Sequence, residues 1–237
     1  MKYSPILRRS FTSLFESITQ CRDSLTPMQQ DHPFLNSATR LSNLVPKDGD
    51  VFYIPNFFSG AEADGCFSSL QDDVQWRQTP IKMFGKDILQ PRLTSWIGDD
   101  GAAYRYSGVT LRPEPWPMIL KDIKQRVESV VGVVFNSALL NLYRNGQDSM
   151  GWHRDNEKEL GACPVISSVS FGAERLFRLR HYFEKKLETE ILLAHGSLLI
   201  MCGQTQHFWE HSIPKTSKSA WESTNPRINV TFRLVHI

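Results

Sequence analysis

Cysteine is scarce in this sequence of 237 residues, and long apolar runs are absent. The four cysteines are scattered and include no C-x-x-C pair, which argues against a disulfide framework or a zinc-thiolate site and favours a reducing compartment. The longest apolar runs, such as 198–202, have the length of a strand, whereas a membrane helix needs about 20 apolar residues. We therefore expect no membrane partner. The location expected is cytoplasmic in a bacterium or nuclear in a eukaryote, with mitochondria as the second eukaryotic alternative.

The sequence also lacks a surplus of charge of one sign. Its net charge is only +2, and residues 1–46 supply all of it, so bulk charge does not indicate a nucleic-acid partner. Any such partner has to be recognised by a local patch. With 41% hydrophobic and 22% charged residues, the composition excludes a disordered chain or a collagen and fits one sizeable core. We expect a monomer.

Hydrophobic periodicity divides the chain into an N-terminal extension, 1–46, and one domain, 47–237. The extension contains at most one amphipathic helix, around 11–18, and the domain opens with a strand at 51–54. Helices are predicted from Ala61 to Trp76 and from Pro117 to Gly132. Short strand-like runs follow, at 137–144, 164–171, 176–180, 188–194, 197–202, 207–211 and 227–235. Two helices followed by about seven strands predict an α+β domain whose β part is a two-sheet sandwich or jelly roll.

Two histidines and an aspartate form a candidate metal site. His153 and Asp155 lie two residues apart, so on an extended segment both side chains can reach one ion. His211, far along the chain, is the third candidate ligand. Two imidazoles and one carboxylate form a facial triad that leaves three metal positions open, as ferrous enzymes that activate oxygen require. Zinc also binds such a set, so these residues alone leave both metals open.

A strictly alternating segment near the C-terminus is the second chemical signal. The pattern places Arg227, Asn229, Thr231 and Arg233 on one face of a strand and apolar residues on the other. Two inward arginines need anions, and a dicarboxylate with two separated ends is one solution. An amphipathic edge strand with solvated arginines is the alternative.

Together these motifs resemble the AlkB-type ferrous and 2-oxoglutarate-dependent dioxygenases. The H-x-D pair, the later histidine and the R-x-N-x-T-F-R strand occur in the order that is typical of that family. The resemblance implies a double-stranded β-helix (jelly-roll) core with flanking N-terminal helices. It also implies bound Fe(II), 2-oxoglutarate as cosubstrate and dioxygen, with His153, Asp155 and His211 as iron ligands.

The same resemblance implies how the cosubstrate is held. Arg227 and Arg233 would anchor the two carboxylates of 2-oxoglutarate, with Asn229 between them on the same strand. Asn141 and Tyr143 match the N-x-Y strand of the family, which also hydrogen-bonds the cosubstrate. A tyrosine buried in the core is the alternative for Tyr143.

The resemblance is closest to the duplex-acting homologues and implies a nucleic-acid substrate. Phe84 would wedge into the base stack, while Arg92, Tyr104, Tyr106 and Glu157 would contact a flipped alkylated base. A basic segment would bind phosphates; it contains Arg175, Arg178, Arg180, Lys185 and Lys186. The expected activity is oxidative demethylation of 1-methyladenine or 3-methylcytosine in DNA, with release of formaldehyde. The alternatives are a dioxygenase acting on RNA or protein, a non-catalytic nucleic-acid binder and a zinc hydrolase.

Overall fold

The computed structural model describes residues 41–83, 86–100, 104–106, 109–216 and 225–236, with backbone only at 81–83, 86, 104–106 and 109–111. The helices are Gly60–Asp73 (α1), Met118–Val131 (α2) and the single turn Thr205–Phe208 (α3), with a 3₁₀ turn at Lys158–Leu160. The first seven strands are Asp50–Ile54 (β1), Pro80–Met83 (β2), Lys86–Leu89 (β3), Leu93–Gly98 (β4), Tyr104–Tyr106 (β5), Val109–Leu111 (β6) and Ser137–Tyr143 (β7). The other strands are Met150–His153 (β8), Ile166–Gly172 (β9), Arg175–His181 (β10), Glu188–Leu193 (β11), Ser197–Cys202 (β12), Trp209–Ile213 (β13) and Arg227–Arg233 (β14).

Two antiparallel sheets form the jelly-roll core, which confirms the predicted fold class. The larger sheet has the strand order β1-β12-β9-β14-β7-β4, and the smaller sheet has the order β11-β10-β13-β8. Two separate hairpins, β2–β3 and β5–β6, lie before α2 in the chain. Because the smaller sheet contains β8 and β13 side by side, it brings two distant parts of the chain together.

Helices α1 and α2 cover the outer face of the larger sheet. Ser59 and Glu62 form a capping box that begins α1, whose inner face buries Cys66 and Leu70. The helix ends at Asp73 rather than Trp76, because Val74 is already extended and Arg77 pairs with Thr94 of β4. Gly132, with φ of 64°, ends α2 as predicted. Among the described residues, no helix is long and apolar enough to cross a membrane.

Both faces of the larger sheet are buried, in two different cores. Ile228, Val230 and Phe232 of β14 pack with the helices, while the alternate residues of that strand face the smaller sheet. A second apolar cluster fills the space between the sheets and includes Leu199 and Trp209. The alternation of β14 therefore separates a dry core from a polar cavity.

The segment before β1 belongs to the packed domain. Leu41 and Val45 are 4% and 3% exposed, and the Asn43 side chain accepts the backbone N–H groups of Val45 and Val51. Residues 41–45 therefore pack beside the first strand. The predicted helix around 11–18 lies outside the described residues.

We expect Gly172→Ala to lower the free energy of unfolding by about 2 kcal/mol or more. Gly172 ends β9 with φ of +86°, and an added Cβ would lie 2.4 Å from the carbonyl oxygen of Pro226. Gly65→Ala is the matched control, because its Cβ would meet nothing within 4 Å in the middle of α1. That control should raise stability by about 0.5–1 kcal/mol. Urea denaturation measures both, and equal effects would contradict the prediction.

Candidate active site

The two candidate histidine ligands face each other across neighbouring strands. His153 of β8 pairs directly with His211 of β13, and their ring centroids are 4.1 Å apart. Asp155 follows β8, and its two carboxylate oxygens lie 4.0 Å from His153 Nε2 and 3.9 Å from His211 Nε2. One ligand atom from each residue can be chosen so that all three lie within 4.8 Å of one another. The predicted facial triad is therefore assembled by strand pairing.

Two further hydrogen bonds orient these ligands. His153 Nδ1 lies 2.9 Å from the carbonyl oxygen of Gly151, which can only accept, so Nδ1 carries the proton and Nε2 has its lone pair available. The backbone N–H of Asp155 donates to Gln206 Oε1 at 2.9 Å, and Gln206 is 1% exposed in α3. The loop that carries the carboxylate is thus tied to the segment that leads into β13.

The protonation states of the buried ligands suit a metal. Burial would raise the pKa of Asp155, but Arg233, His211 and His153 together bring that pKa well below its usual range, so the carboxylate is charged. Burial lowers the pKa of His211 to about 3. Phe177 stacks on this imidazole with ring centroids 5.3 Å apart. A neutral imidazole and an ionised carboxylate are the forms that bind metals.

A cavity lies between the sheets beside these ligands. The polar face of β14 lines it, as do Asn141 and Tyr143 of β7. Tyr143 pairs with Arg227 and Asn141 pairs with Asn229 in the strand register. The residues predicted to bind cosubstrate are therefore neighbours on one wall of one cavity.

Arg227 has the properties of an anion-binding residue. It is 1% exposed, its Nη2 donates to Ser170 Oγ at 2.9 Å, and its guanidinium carbon lies 5.2 Å from the centre of the Tyr143 ring. Its Nε and Nη1 are buried, and the described part of the chain supplies no hydrogen-bond partner for either. Burial lowers its pKa to about 10, which still leaves it charged at neutral pH. A carboxylate would satisfy these donors.

The other polar residues of β14 already bind neighbours. Arg233 Nη2 forms an ion pair with Asp155 Oδ1 at 2.9 Å, so this cation lies directly beside the metal ligands. Asn229 donates to Ser168 Oγ at 2.6 Å and accepts from Thr231 Oγ1 at 2.9 Å. The Asn229 side chain therefore joins β14 to β9 at the cavity wall.

The structure describes only some of the residues that are predicted to contact substrate. Phe84 lies outside the described residues, while Tyr104 and Tyr106 lie on β5, for which only the backbone is described. Glu157 precedes the 3₁₀ turn, and its Oε2 is buried with no hydrogen-bond partner among the described residues. Arg92 is 5% exposed, and its guanidinium donates to Asn141 Oδ1 at 2.7 Å instead of facing outward.

Most of the basic segment is committed to contacts within the protein. Arg175 is 3% exposed and donates to the carbonyl oxygens of Asp148 and Pro214. On the outer face of the smaller sheet, Arg178 pairs with Glu190, while Arg180 and Lys185 both pair with Glu210. Because exposed ion pairs are weak, a phosphate backbone could displace the acidic partners of Arg178, Arg180 and Lys185 but not the carbonyl partners of Arg175.

Sequence reasoning did not identify Gln206, Ser168 or Ser170. Each is a buried polar residue whose side chain holds a residue of the site: Gln206 holds Asp155, Ser170 holds Arg227 and Ser168 holds Asn229. Ser168 and Ser170 alternate along β9, so a polar face within an apolar strand was the available signal. Gln206 lies in a single helical turn whose pattern is too short to assign a face.

Comparison with known proteins places this geometry in a family. The model of the 2OG-Fe(II) oxygenase superfamily matches residues 50–233. Alpha-ketoglutarate-dependent dioxygenase alkB homolog 3 of Homo sapiens is 44% identical over 201 residues, which is 78% of this chain and 66% of that protein. DNA oxidative demethylase ALKBH2 is 39% identical in Homo sapiens, covering 75% of this chain and 70% of that protein. The Arabidopsis thaliana ALKBH2 is 36% identical over 226 residues, covering 84% of this chain and 71% of that protein.

A solved structure of OsALKBH1 has the same fold. The TM-score is 0.52 at 17% sequence identity, and the alignment covers 78% of this chain and 96% of that one. The donor set of two imidazoles and a carboxylate fits Fe(II), and the buried donors of Arg227 fit a carboxylate of 2-oxoglutarate. The chain therefore belongs to the 2OG-Fe(II) oxygenase superfamily, as an AlkB-like dioxygenase.

Proposed function

We propose that the protein is an oxidative demethylase that removes N-alkyl groups of the 1-methyladenine and 3-methylcytosine type from DNA. The observation that carries this proposal is the facial triad at one end of a cavity that also contains the buried Arg227. The relatives described above are named as alkB homolog 3 and as DNA oxidative demethylases. The chain spans 66% of the length of alkB homolog 3, so the activity of that whole protein is extended to this one as a proposal.

The residues of the site have separate proposed roles in binding the metal and the cosubstrate. His153, Asp155 and His211 hold the metal, and Gln206 and the Gly151 carbonyl keep two of these ligands in orientation. Arg227, with Tyr143 beneath its guanidinium, binds the carboxylate of 2-oxoglutarate that lies farther from the metal, and Asn141 contributes a hydrogen bond. Fe(II) and 2-oxoglutarate, once bound, supply with dioxygen the chemistry that hydroxylates the N-alkyl group.

Arg233 has a different proposed task because it lies beside the metal ligands. Its ion pair with Asp155 keeps the carboxylate ionised and turned toward the two histidines. The same guanidinium can bind the cosubstrate carboxylate that is nearer the metal. Arg227 and Arg233 lie at opposite ends of the polar face of β14, and Asn229 lies between them on the cavity wall.

The substrate enters from the open side of the cavity, where His153 is partly exposed. The alkyl group of a base in a duplex is inside the helix, so the base must be flipped, and Phe84 is proposed to fill the gap that it leaves. Tyr104 and Tyr106 are proposed to stack on the flipped base. Glu157 is proposed to bind its exocyclic amino group through the buried Oε2, for which the described residues supply no hydrogen-bond partner.

A panel of methylated oligonucleotides tests the proposal. With Fe(II) and 2-oxoglutarate, we expect equal amounts of succinate and formaldehyde from single- and double-stranded DNA that contains 1-methyladenine or 3-methylcytosine. Matched RNA strands and a methylated peptide are the alternative substrates, and His153→Ala is the inactive control. If only RNA or only the peptide is turned over, that molecule is the substrate instead of DNA. Binding without turnover would indicate a non-catalytic relative.

We also propose that the enzyme is a monomer, and light scattering of the same preparation measures its molar mass.

A further inference from the structure

Arg92 occupies a buried junction beside Asn141, at the edge of the cavity wall. It immediately precedes β4, whose Thr94 pairs with Asn141 of β7. Its Nε donates to Asn141 Oδ1 at 2.7 Å, and its Nη1 donates to the Ser149 carbonyl oxygen at 3.3 Å. Its Nη2 donates to Gln90 Oε1, just after β3. One side chain therefore joins the β2–β3 hairpin, the wall of the cavity and the residue before β8.

The contact with Asn141 fixes which end of that amide faces the cavity. A guanidinium can only donate, so the atom that it binds must be the amide oxygen. The NH₂ group of Asn141 is then the part of the amide that remains for the cavity, which Asn141 lines. If the amide rotated by half a turn, it would present its oxygen to an anionic ligand and repel it. The orientation of this amide thus decides whether Asn141 attracts or opposes a carboxylate.

We infer that Arg92 is a positioning residue for the cosubstrate, acting through Asn141, rather than a residue that contacts nucleic acid. This inference rests on the proposed function, because it takes 2-oxoglutarate as the ligand of the cavity. Arg92 is 5% exposed, and all three of its guanidinium nitrogens contact the protein, which agrees with a positioning role. The hydrogen bond to Ser149 also fixes the start of β8, the strand that ends in His153.

The test is the affinity for 2-oxoglutarate, measured by calorimetry on the Mn(II)-loaded full-length protein without nucleic acid. We expect Arg92→Ala to weaken binding about 10-fold, the loss typical of one charge-assisted hydrogen bond. Arg92→Lys should recover part of this loss, because an ammonium also donates to Asn141 Oδ1 and forces the same amide orientation. Asn141→Ala should weaken binding to a similar extent.

A double-mutant cycle separates positioning from a general loss of structure. If Arg92 acts through Asn141, adding Arg92→Ala to Asn141→Ala should change the affinity by less than about 2-fold. The matched control is Arg77→Ala, an arginine near the same strand whose side chain is 66% exposed. It should bind 2-oxoglutarate as the wild type does.

The possible outcomes divide cleanly. If the wild-type protein does not bind 2-oxoglutarate, the proposed function fails. If the wild type binds 2-oxoglutarate and Arg92→Ala binds it equally well, only the role of Arg92 is overturned. The same holds if the loss of affinity in the double variant equals the product of the losses in the two single variants. An Arg92→Ala protein that binds 2-oxoglutarate normally but has lost affinity for a fluorescent oligonucleotide would make Arg92 a substrate contact. If Arg92→Ala does not fold, the same comparison is made with Arg92→Lys, introduced into the wild type and into the Asn141→Ala variant.

Discussion

Asp155→Asn is expected to abolish turnover and to weaken metal binding by about 100-fold or more. Asp155 supplies the negative charge of the triad. Although it is buried, the nearby Arg233 and histidines lower its pKa and keep the carboxylate ionised. The amide has nearly the same shape but cannot neutralise a divalent ion. It also leaves Arg233 without its acidic partner beside two imidazoles, so a divalent cation would enter a site of positive charge. Calorimetric titration with Mn(II) measures the affinity.

Asp148→Asn is the matched control for this experiment. Asp148 is also buried, at 5% exposed, but its carboxylate pairs with Arg144 outside the cavity. That variant should lose some stability and bind Mn(II) normally. If Asp155→Asn retained wild-type affinity for Mn(II), the assignment of Asp155 as a metal ligand would be rejected, whatever happened to turnover.

Features of local chemistry in this chain were predictable from the sequence. Gly132 ends α2 because only a glycine readily adopts its φ of 64°, and that signal depends on one residue. The two faces of β14 were predictable for a similar reason: a period of two places four polar side chains together wherever the strand lies. Many short strands after two helices predicted a two-sheet sandwich or jelly roll, the family resemblance selected the jelly roll, and the strand order is consistent with it.

Features that depend on distant partners were not predictable. Strand β8, with the sequence MGWH, has no alternation to mark it and exists because it pairs with β13. The expected strand at 207–211 was wrong at its start: the chain makes a helical turn through Phe208, stabilised by the Thr205 hydroxyl donating to the Cys202 carbonyl oxygen. The hairpin strands β2 and β3 and the edge strand β4 were also missed.

Arg92 shows the same limit within the site. Its position in the sequence, after Gln90 and Pro91, is compatible with an exposed loop, and a basic residue there suits a nucleic-acid contact. Only the pairing of β4 with β7 places it beside Asn141. The resemblance to a family identified the metal triad and the polar residues that line the cavity, whereas the side chains that hold them in place depend on tertiary packing.

Arg227→Met is expected to weaken 2-oxoglutarate binding by about 100-fold or more while leaving Mn(II) affinity unchanged. The guanidinium is buried and offers Nε and Nη1 to a carboxylate, and two charge-assisted hydrogen bonds in a dry site are worth roughly 3 kcal/mol or more. The affinity of Arg227→Lys for 2-oxoglutarate should lie between those of the wild type and Arg227→Met, because an ammonium keeps the charge but not the planar fork. Calorimetry with 2-oxoglutarate on the Mn(II)-loaded protein measures this order.

Arg227→Met is expected to weaken 2-oxoglutarate binding without lowering the stability of the ligand-free protein. This difference separates a binding role of Arg227 from a structural one. In the ligand-free protein, burial of the Arg227 charge is unfavourable enough to lower its pKa to about 10, while its guanidinium donates a hydrogen bond to Ser170. Methionine has a similar length and no charge, so ligand-free Arg227→Met should unfold at the same or a higher temperature than the wild type. Added 2-oxoglutarate should then raise the unfolding temperature of the Mn(II)-loaded wild type and not that of the variant. A variant that is less stable without ligand, yet is stabilised by 2-oxoglutarate as much as the wild type, would show that Arg227 supports the fold and not the cosubstrate.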